Sequence, residues 1–386
     1  MRVGFVVQDA SGWHGGVNYY RNLFSALRDA PEAGVESYVF HPPHVEIPVG
    51  QVSRDVPLRI LREGSVPCRF RYVVKNIVRS DLLLERRLLA EGVELISHSD
   101  VGNPRHLPAI NWIPDVQHRR LPEFFQPGEL AFRDRTFALA IREATLVIAS
   151  SDTARRDIEE LFPEAAGRVR VLRFVVAPEA PSSEAPAGVP ERHQLPGRFL
   201  LLPNQFWAHK NHGVVVDALA ILRSRGERVT IVCTGNTHDY RQPDYFTRLQ
   251  ARMREAGVDE QMPILGMVPY ADLAWMMRNA VALVNPSLFE GWSTSVEEAK
   301  SLGKKVVLSD IPVHREQAPE RGAYFDPRDP EALADALASA WRDHDPAEDL
   351  ACAERARAAL PGRRREFALT YAAIAREAIA LGRRRG

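Results

Sequence analysis

The chain has 386 residues, which is too long for one ordinary hydrophobic core and suits two domains of about 150 to 200 residues each. Lysine plus arginine and aspartate plus glutamate both total 50, so no excess charge favours nucleic acid or an acidic membrane as partner. The three cysteines lack CxxC spacing, which argues against a disulfide scaffold or a cysteine zinc site and favours reduced thiols: Cys68, Cys233 and Cys352. No apolar run approaches ~18 residues, so we expect a cytoplasmic protein.

Short runs rich in β-branched residues alternate with longer helical patterns. Such runs are typical of buried parallel strands in an α/β fold. In the first half of the chain the predicted strands are residues 3–9, 35–40, 93–100, 109–114, 145–151 and 168–174. In the second half they are residues 198–203, 229–235, 262–268, 281–287 and 305–310.

A linker divides the two series of strands and helices. Residues 177–192 are rich in proline, alanine and serine, a composition that cannot build a core. Two doubly wound domains are therefore predicted, with ligands at the carboxyl ends of their strands in a cleft between them. The predicted boundaries are an N-terminal Rossmann-like domain at 1–176, a linker at 177–196, a C-terminal Rossmann-like domain at 197–365, and a helix with a basic tail at 366–386.

Two further segments have helical patterns. Near the C-terminus an apolar stripe predicts a helix that packs on one of the domains: Phe367, Tyr371, Ile374 and Leu381. In residues 68–89, cations recur every four residues beside apolar side chains: Arg71, Lys75 and Arg79 beside Phe70, Val74 and Ile77. This second pattern allows two interpretations, a solvated basic face of a core helix or a weak peripheral contact of residues 69–87 with an anionic lipid surface.

Residues 281–305 predict a buried strand, a turn and a helix that ends at Gly303. Thr294 and Glu297 have the spacing of a capping box, in which each side chain accepts a hydrogen bond from an amide at the helix start. Glu297 is therefore expected to have a structural role.

Two other glutamates flank the same turn. Glu290 follows the strand at a place where α/β folds bind ligands, and Glu298 lies about 100° around the helix from Glu297. The amides of residues 291–295 form a positive helix start that could bind a diphosphate. Taken alone, Glu298 could equally well answer the helix macrodipole.

The spacing of Glu290 and Glu298, with Glu-Gly-aromatic in front and EEAKSLGK behind, resembles the family-4 retaining glycosyltransferases of the GT-B fold. Other segments resemble the same family: residues 13–23, 112–125, 200–222, 307–317 and 323–337. The resemblance covers most of the chain. It implies two Rossmann-like domains facing a central cleft, with the acceptor on the N-terminal side, the nucleotide sugar on the C-terminal side, and the C-terminal helix packing back toward the N-terminal lobe.

The resemblance implies roles for the matching residues. Glu298 would bind the ribose, Glu290 would lie beside the donor sugar, and Lys210 would hold the diphosphate. Many relatives carry an arginine shortly before that lysine, where this chain has Asn204, so either Asn204 makes a neutral hydrogen bond or another cation takes part. Further diphosphate contacts are implied at two glycine turns and the helix start: Gly15, Gly16, Gly291, Trp292, Ser293 and Thr294.

Two more contacts follow from the resemblance. His118 matches a histidine that contacts the transferred sugar, and with Glu290 it completes the expected catalytic pair. The backbone of Gly266, Met267 and Val268 would read the edge of the nucleobase. As isolated residues, Gly15 and Gly16 could form an ordinary turn, and His118 could be a structural histidine.

No metal ion is expected as a cofactor. The DHD sequence at residues 343–345 has the form that metal-dependent glycosyltransferases of another fold use, but it follows a helical segment in a polar connection. Lys210 and the amides at the helix start would supply the counter-charge of the diphosphate instead.

The implied function is a metal-independent hexosyl or deoxyhexosyl transferase of polysaccharide or glycoconjugate biosynthesis. It would move a sugar, with retention and by front-face transfer, from a nucleotide diphosphate sugar to a glycan, a lipid-linked saccharide or a small metabolite. Two alternatives stay open, a nucleotide-sugar epimerase of GT-B-like fold and a non-catalytic nucleotide-sugar binder. For a transferase, Glu290→Ala is expected to abolish transfer and leave the melting temperature nearly unchanged.

Overall fold

The computed structural model describes residues 1–7, 14–45, 52–99, 101–178 and 187–384. It divides the chain into two compact units. Unit 1 comprises Met1–Val116, Gly128–Val176 and Pro361–Gly386, and unit 2 comprises Gln117–Pro127 and Ala177–Leu360. Two segments therefore belong to a different unit from the residues that precede them in the chain. Residues 117–127 belong to unit 2, and the end of the chain from Pro361 belongs to unit 1.

Unit 1 is built on a sheet of seven described strands in the order β3-β2-β1-β4-β5-β6-β7, with parallel pairing throughout. Apolar side chains of Phe40, Ile96 and Val147 fill the layers between this sheet and its helices. The strands are β1 (Arg2–Val6), β2 (Glu36–His41), β3 (Arg54–Pro57), β4 (Leu95–Ser97), β5 (Ala109–Trp112), β6 (Leu146–Ala149) and β7 (Val169–Val171).

Unit 2 is built on a sheet of five described strands in the order β12-β11-β10-β8-β9, again parallel. Successive strands extend outward from β8 on one side and from β10 on the other, so the order reverses between these two neighbours. Open α/β sheets bind ligands outside the carboxyl ends of strands at such a switch point. The strands are β8 (Leu200–Leu202), β9 (Ile231–Cys233), β10 (Leu283–Asn285), β11 (Val306–Ser309) and β12 (Gly322–Phe325).

Helices connect the strands in both units. Those up to the linker are α1 (His14–Asp29), α2 (Val66–Val78), α3 (Leu82–Ala90), α4 (Gln117–Arg120), α5 (Pro127–Glu143) and α6 (Asp152–Leu161). The remainder are α7 (Val189–Arg192), α8 (His212–Ser224), α9 (Tyr245–Ala256), α10 (Tyr270–Asn279), α11 (Thr294–Leu302), α12 (Pro312–Gln317), α13 (Pro330–Arg342) and α14 (Pro346–Arg383).

The predicted α/β class with two doubly wound parallel sheets is confirmed. Three details differ from the sequence prediction. Residues 262–268 form no strand and contribute one bridge, between Ile264 and Cys233. Strands β3 and β12 were not predicted, because both are short and neither is an uninterrupted apolar run. The linker segment includes α7, where Val189 is buried and Arg192 pairs with Asp272 at 2.6 Å; residues 179–186 lie outside the described residues.

The C-terminal helix packs in unit 1, as predicted. In α14 the aromatic residues Phe367 and Tyr371 are buried. The ring of Tyr371 stacks near Phe5 at 6.2 Å between centroids, and that of Phe367 lies edge-on to Tyr19 at 6.4 Å. The end of the chain therefore helps to form the core of the unit in which the chain begins.

Helices α2 and α3 are joined by a buried ion pair. Arg71 of α2 and Asp81, the residue that caps α3, are each 1% exposed, and Arg71 Nε donates to Asp81 Oδ2 at 2.9 Å. Arg71, expected on an exposed basic face, therefore faces inward. No described helix combines the length and the apolar composition needed to cross a lipid bilayer.

Candidate active site

The candidate site lies in unit 2, at the switch point between β8 and β10. The chain leaving β8 forms a short turn at Ala208–Lys210, and the chain leaving β10 runs to Glu290. The Leu288 amide donates to the His209 carbonyl at 2.8 Å, and the Asn211 side chain donates to the Pro286 carbonyl at 3.1 Å. These bonds hold the two loops side by side.

Lys210 and Glu290 meet across the two loops in an ion pair, with Lys210 Nζ 2.6 Å from Glu290 Oε1. Their side chains are 15% and 10% exposed. Burial disfavours the Glu290 carboxylate, but the charge of Lys210 and the hydrogen bond that it donates outweigh burial, so the pKa of Glu290 lies below its usual value. The predicted phosphate-binding cation and the predicted sugar-orienting carboxylate are thus direct partners.

The histidines around Lys210 are neutral. Burial is the main cause that lowers the pKa values of His209 and His212, and the nearby charge of Lys210 is the second. The pKa of His209 lies well below its usual value, and that of His212 is lowered to about 3. His314 is fully buried, and burial likewise lowers its pKa. These rings therefore add no positive charge to that of Lys210.

His314 was not identified from the sequence as a site residue. Its Nδ1 lies 2.9 Å from the Ser309 carbonyl, which fixes the ring, and its Nε2 has no hydrogen-bond partner among the described residues. Glu290 and Lys210 both act on its pKa, so the ring lies close to their ion pair. The only sequence signal for His314 was its place in residues 307–317, a segment that resembles the family.

Asn204 belongs to a neutral hydrogen-bond network. Its Nδ2 donates to Asn285 Oδ1 at 3.3 Å, and Asn285 Nδ2 donates to Ser293 Oγ at 2.8 Å. Asn285 Oδ1 also accepts the amide and the hydroxyl of Ser287. Asn285, which sequence reasoning missed, therefore connects the end of β10 with the start of α11.

Helix α11 carries the other two glutamates, and its start differs from the sequence prediction. The capping residue is Ser293, with no side-chain capping bond, so the predicted box between Thr294 and Glu297 is wrong. Glu297 Oε1 instead accepts from Lys300 Nζ at 3.0 Å and Gln317 Nε2 at 3.2 Å. Its expected structural role therefore involves Lys300 and Gln317.

One backbone amide at the start of α11 already has a hydrogen-bond acceptor within the protein. The Ser293 amide donates to Gln317 Oε1 at 3.2 Å, and Gly291, Trp292 and Ser293 are buried, whereas Thr294 is half-buried. Of the amides predicted to bind a diphosphate, that of Ser293 therefore already has an acceptor. Gly303 ends the helix as predicted, in the left-handed region at φ 66°.

Glu298 lies one position beyond Glu297 and is 4% exposed. Burial raises the pKa of Glu298 to about 7, against the lowering effect of a hydrogen bond from Tyr270. The Tyr270 hydroxyl donates to Glu298 Oε1 at 2.8 Å. Glu298 can therefore change its protonation state near neutral pH.

The predicted base-reading turn begins at Gly266, whose φ of +68° is in the region that favours glycine. Its carbonyl accepts the Gly235 amide at 2.9 Å. Met267 is 56% exposed, and Val268 packs at the edge of the core. The turn therefore reaches the surface at Met267, and its Gly266 carbonyl is engaged within the protein.

His118 lies in α4, within the segment of residues 117–127 that belongs to unit 2. It is buried near Phe125, whose ring also lies 4.9 Å from the Arg241 guanidinium. Arg241 donates to Gln117 Oε1 at 3.1 Å and to Asp239 Oδ1 at 3.3 Å. Arg241, which the sequence did not reveal, thus anchors the segment that carries His118.

Arg241 also approaches the loop of Lys210. Its Nη2 lies 3.2 Å from His209 Nδ1, and because a guanidinium can only donate, the neutral His209 ring is the acceptor. Three of its five N–H donors are directed to Gln117, Asp239 and His209. It is therefore a weaker candidate than Lys210 for the cation that binds the diphosphate.

Gly15 and Gly16 lie in unit 1, in the first turn of α1, which follows β1. β1 and β4 are the neighbours at which the strand order of this sheet reverses. His98 follows β4. Its Nε2 forms a hydrogen bond with Tyr19 Oη and its Nδ1 one with Ser97 Oγ, each at 2.8 Å. This histidine was not predicted, and its two partners indicate a packing role.

The residues of the DHD sequence have structural partners. Asp343 accepts a hydrogen bond from Ser339 at 2.7 Å, and Asp345 accepts the Ala347 amide at 2.9 Å at the start of α14. Within the described ranges, no group of three or more histidine, cysteine, aspartate or glutamate side chains could hold a metal ion. Metal independence stays a prediction.

Comparison with known proteins agrees with this geometry. Several solved structures share the fold along nearly the whole chain, which is the GT-B fold of glycosyltransferases. A glycosyltransferase from Rickettsia africae has a TM-score of 0.65 at 14% identity and covers 98% of each chain. Anabaena Alr3699/HepE in complex with UDP-glucose has a TM-score of 0.64 at 18% identity and covers 98% of this chain and 99% of the other.

Residues 190–358 match the family described as Glycosyl transferases group 1, so the resemblance drawn from the sequence is confirmed for this segment. The O-antigen chain mannosyltransferase B of Escherichia coli is 25% identical over 260 residues, 64% of this chain and 66% of that protein. The O-antigen chain mannosyltransferase RfbU of Salmonella typhimurium is 29% identical over 140 residues, 36% of this chain. The matched regions thus span 66% and 37% of the lengths of these relatives.

The raised pKa of Glu298 predicts a pH dependence of stability. The folded protein keeps a proton on Glu298 up to about pH 7, whereas the unfolded chain releases it near 4.5. Because the folded state binds more protons between these values, the contribution of Glu298 to the free energy of unfolding is present below pH 4.5 and is lost as the pH rises through 7. Glu298→Gln should remove this loss.

We therefore expect the free energy of unfolding of Glu298→Gln, relative to native protein, to increase by up to about 3 kcal/mol across this interval. Denaturant unfolding at a series of pH values measures it. Tyr270→Phe is the matched test. It removes the hydrogen bond that lowers the pKa of Glu298, so the pH at which the stability contribution of Glu298 is lost should rise. A difference between Glu298→Gln and native protein that is the same at every pH would contradict the assignment.

Proposed function

We propose that this protein is a retaining glycosyltransferase that moves a sugar from a nucleoside diphosphate sugar to a hydroxyl group of an acceptor. The observation that carries the proposal is the ion pair between Lys210 and Glu290 at the switch point of the second sheet. A cation and an ionised carboxylate, held together at the carboxyl ends of β8 and β10, match the two charges that such a donor requires.

Lys210 would bind the diphosphate. Its ammonium has three N–H donors, of which Glu290 takes one, so the other two would donate to the phosphate oxygens. Asn204 would assist indirectly, because its side chain supports the start of α11 through Asn285. The remaining amides at that helix start would complete the diphosphate site.

Glu290 would orient the sugar and favour positive charge at its anomeric carbon. Its lowered pKa keeps it ionised at neutral pH, as this role requires. In the proposed front-face reaction the bond from the anomeric carbon to the leaving phosphate oxygen breaks, and a bond to the acceptor oxygen forms on the same face. The proton of the acceptor hydroxyl passes to the leaving phosphate, so no protein nucleophile is needed.

Glu298 would accept hydrogen bonds from the ribose hydroxyls, and the backbone of Gly266 to Val268 would read the base. His118 would contact the transferred sugar. Gly15 and Gly16 would let the backbone approach a phosphate or the acceptor, since neither has a side chain in the way. These roles rest on the family resemblance together with the placement of each residue.

The names of the relatives suggest which substrates to test. Two relatives are named as O-antigen mannosyltransferases, so we propose a hexose, with mannose first, and a saccharide acceptor in polysaccharide or glycoconjugate assembly. The structural neighbour from Anabaena was solved in complex with UDP-glucose, so uridine diphosphate sugars belong in the panel, with guanosine diphosphate sugars as a second base for comparison. We further propose that transfer takes place in the cytoplasm.

The first test is Glu290→Gln. Transfer from a panel of nucleotide sugars should fall by about 100-fold or more, because the charge beside the anomeric carbon is lost. The ion pair changes the stability that is expected of this variant, because removing the Glu290 charge leaves Lys210 uncompensated. The melting temperature should therefore fall rather than stay constant, and the free energy of unfolding should decrease by about 1 to 3 kcal/mol. Product formation and thermal unfolding measure the two effects.

Glu297→Gln is the matched control. It makes the same chemical change in a buried glutamate of unit 2 whose partners are Lys300 and Gln317. It should lower the melting temperature and leave transfer largely intact. Native rates in Glu290→Gln would contradict the proposal. Conversion of one nucleotide sugar into another without acceptor would instead indicate an epimerase, and binding of a donor without any turnover would indicate a non-catalytic binder.

The second test is chelation. With the best donor of the panel, the transfer rate should be the same in EDTA as in Mg²⁺, because Lys210 supplies the counter-charge of the diphosphate. Donor hydrolysis without acceptor provides a parallel measurement that does not depend on the acceptor chosen. Loss of both activities in EDTA, with recovery on adding Mg²⁺ or Mn²⁺, would overturn the metal-free scheme.

A further inference from the structure

Helix α2 (Val66–Val78) has one face fixed to unit 1. Arg71 and Cys68 are buried, and Arg71 is paired with Asp81 at the start of α3. Glu85 of α3 in turn accepts the amides of His106 and Leu107 at 2.6 and 2.9 Å. Because this inward face is bound by a buried ion pair and hydrogen bonds, the opposite face of α2 has a defined orientation away from the core.

That opposite face is apolar and exposed. The exposed fractions are 79% for Val66, 60% for Phe70, 55% for Val73 and 76% for Ile77. Their spacing of four, three and four residues places all four side chains within an arc of about 60° on the helix. A soluble surface rarely presents four large apolar residues in one line without a partner, and we call these residues the α2 stripe.

The charges next to the α2 stripe have one predominant sign. Among the described residues 59–79, the exposed arginines are Arg59, Arg62, Arg69 and Arg79, and the one exposed acid is Glu63. Arg69 lies about 60° around the helix from Val66, at the border of the stripe. Two of the three cations expected to form a basic row are not exposed, since Arg71 is buried and Lys75 is half-buried.

We propose that the α2 stripe and its arginines dock on an anionic lipid surface, with the helix lying in the plane of the headgroups. An apolar face bordered by cations is the composition that binds such an interface. The helix has 13 residues, too few to span a bilayer. Charge complementarity decides against a second copy of the same surface, because pairing two stripes face to face would bring arginines together.

Vesicle co-sedimentation of the full-length protein tests this proposal independently of any transferase activity. Native protein should bind mixed phosphatidylcholine and phosphatidylglycerol vesicles, bind pure phosphatidylcholine vesicles more weakly, and lose affinity as salt is raised. The double variant Phe70→Ser with Ile77→Ser should bind the mixed vesicles at least about tenfold more weakly, because it removes apolar side chains that would enter the interface. Arg62→Glu with Arg69→Glu should weaken binding comparably.

Matched controls come from the same unit. Phe132 of α5 is also exposed, at 61%, so Phe132→Ser removes a similar side chain outside the α2 stripe. Arg156 of α6 is an exposed arginine, so Arg156→Glu matches the charge reversal. Both variants should bind vesicles like native protein, and all variants should keep the native melting temperature because the altered side chains are exposed.

Three results would overturn the proposal. One is native protein that does not bind anionic vesicles, and another is equal loss of binding in the Phe132→Ser control. The third is sedimentation velocity that shows a dimer which Phe70→Ser with Ile77→Ser dissociates, since that result would assign the stripe to a second copy of the chain.

Discussion

The ion pair between Lys210 and Glu290 is the interaction on which the candidate site depends. Two opposite charges, each about nine-tenths buried, are stable there because each is the counter-ion of the other. Their contact also fixes the loops leaving β8 and β10 at a spacing that the bond between Leu288 and His209 reinforces. The same pair keeps Glu290 ionised, and Lys210 keeps two further N–H donors for an anionic ligand.

Much of the fold could be predicted because burial on both faces makes a parallel strand an apolar run. Strands β1 and β10 follow this rule. β3 (Arg54–Pro57) does not, because it is mostly exposed and its residues have no apolar pattern. Residues 262–268 are apolar but form no strand, because Pro263 lacks an amide hydrogen and Gly266 adopts a positive φ. Pairing of such segments depends on tertiary contacts that a local pattern does not contain.

The candidate site was predictable where a role depends on chain-local geometry. Glu290 and Glu298 are identifiable because they flank a turn between a strand and a helix. Their environments cannot be identified in this way. Burial raises the pKa of Glu298 to about 7, and the pKa of Glu290 is lowered by residues distant in sequence. His314 illustrates the limit, because only the folded chain brings it to the ion pair. The exposure of the α2 stripe was hidden for a similar reason: the sequence does not show that Arg71 is the inward residue.

Binding of a nucleoside diphosphate tests the central claim most directly, because it requires neither the right sugar nor the right acceptor. Calorimetric titration of UDP and GDP should show that native protein binds at least one of them in the presence of EDTA. Lys210→Met should bind that ligand at least about tenfold more weakly, because a charge-assisted hydrogen bond to the diphosphate is lost. Equal affinity of Lys210→Met and native protein would contradict the assignment of the site.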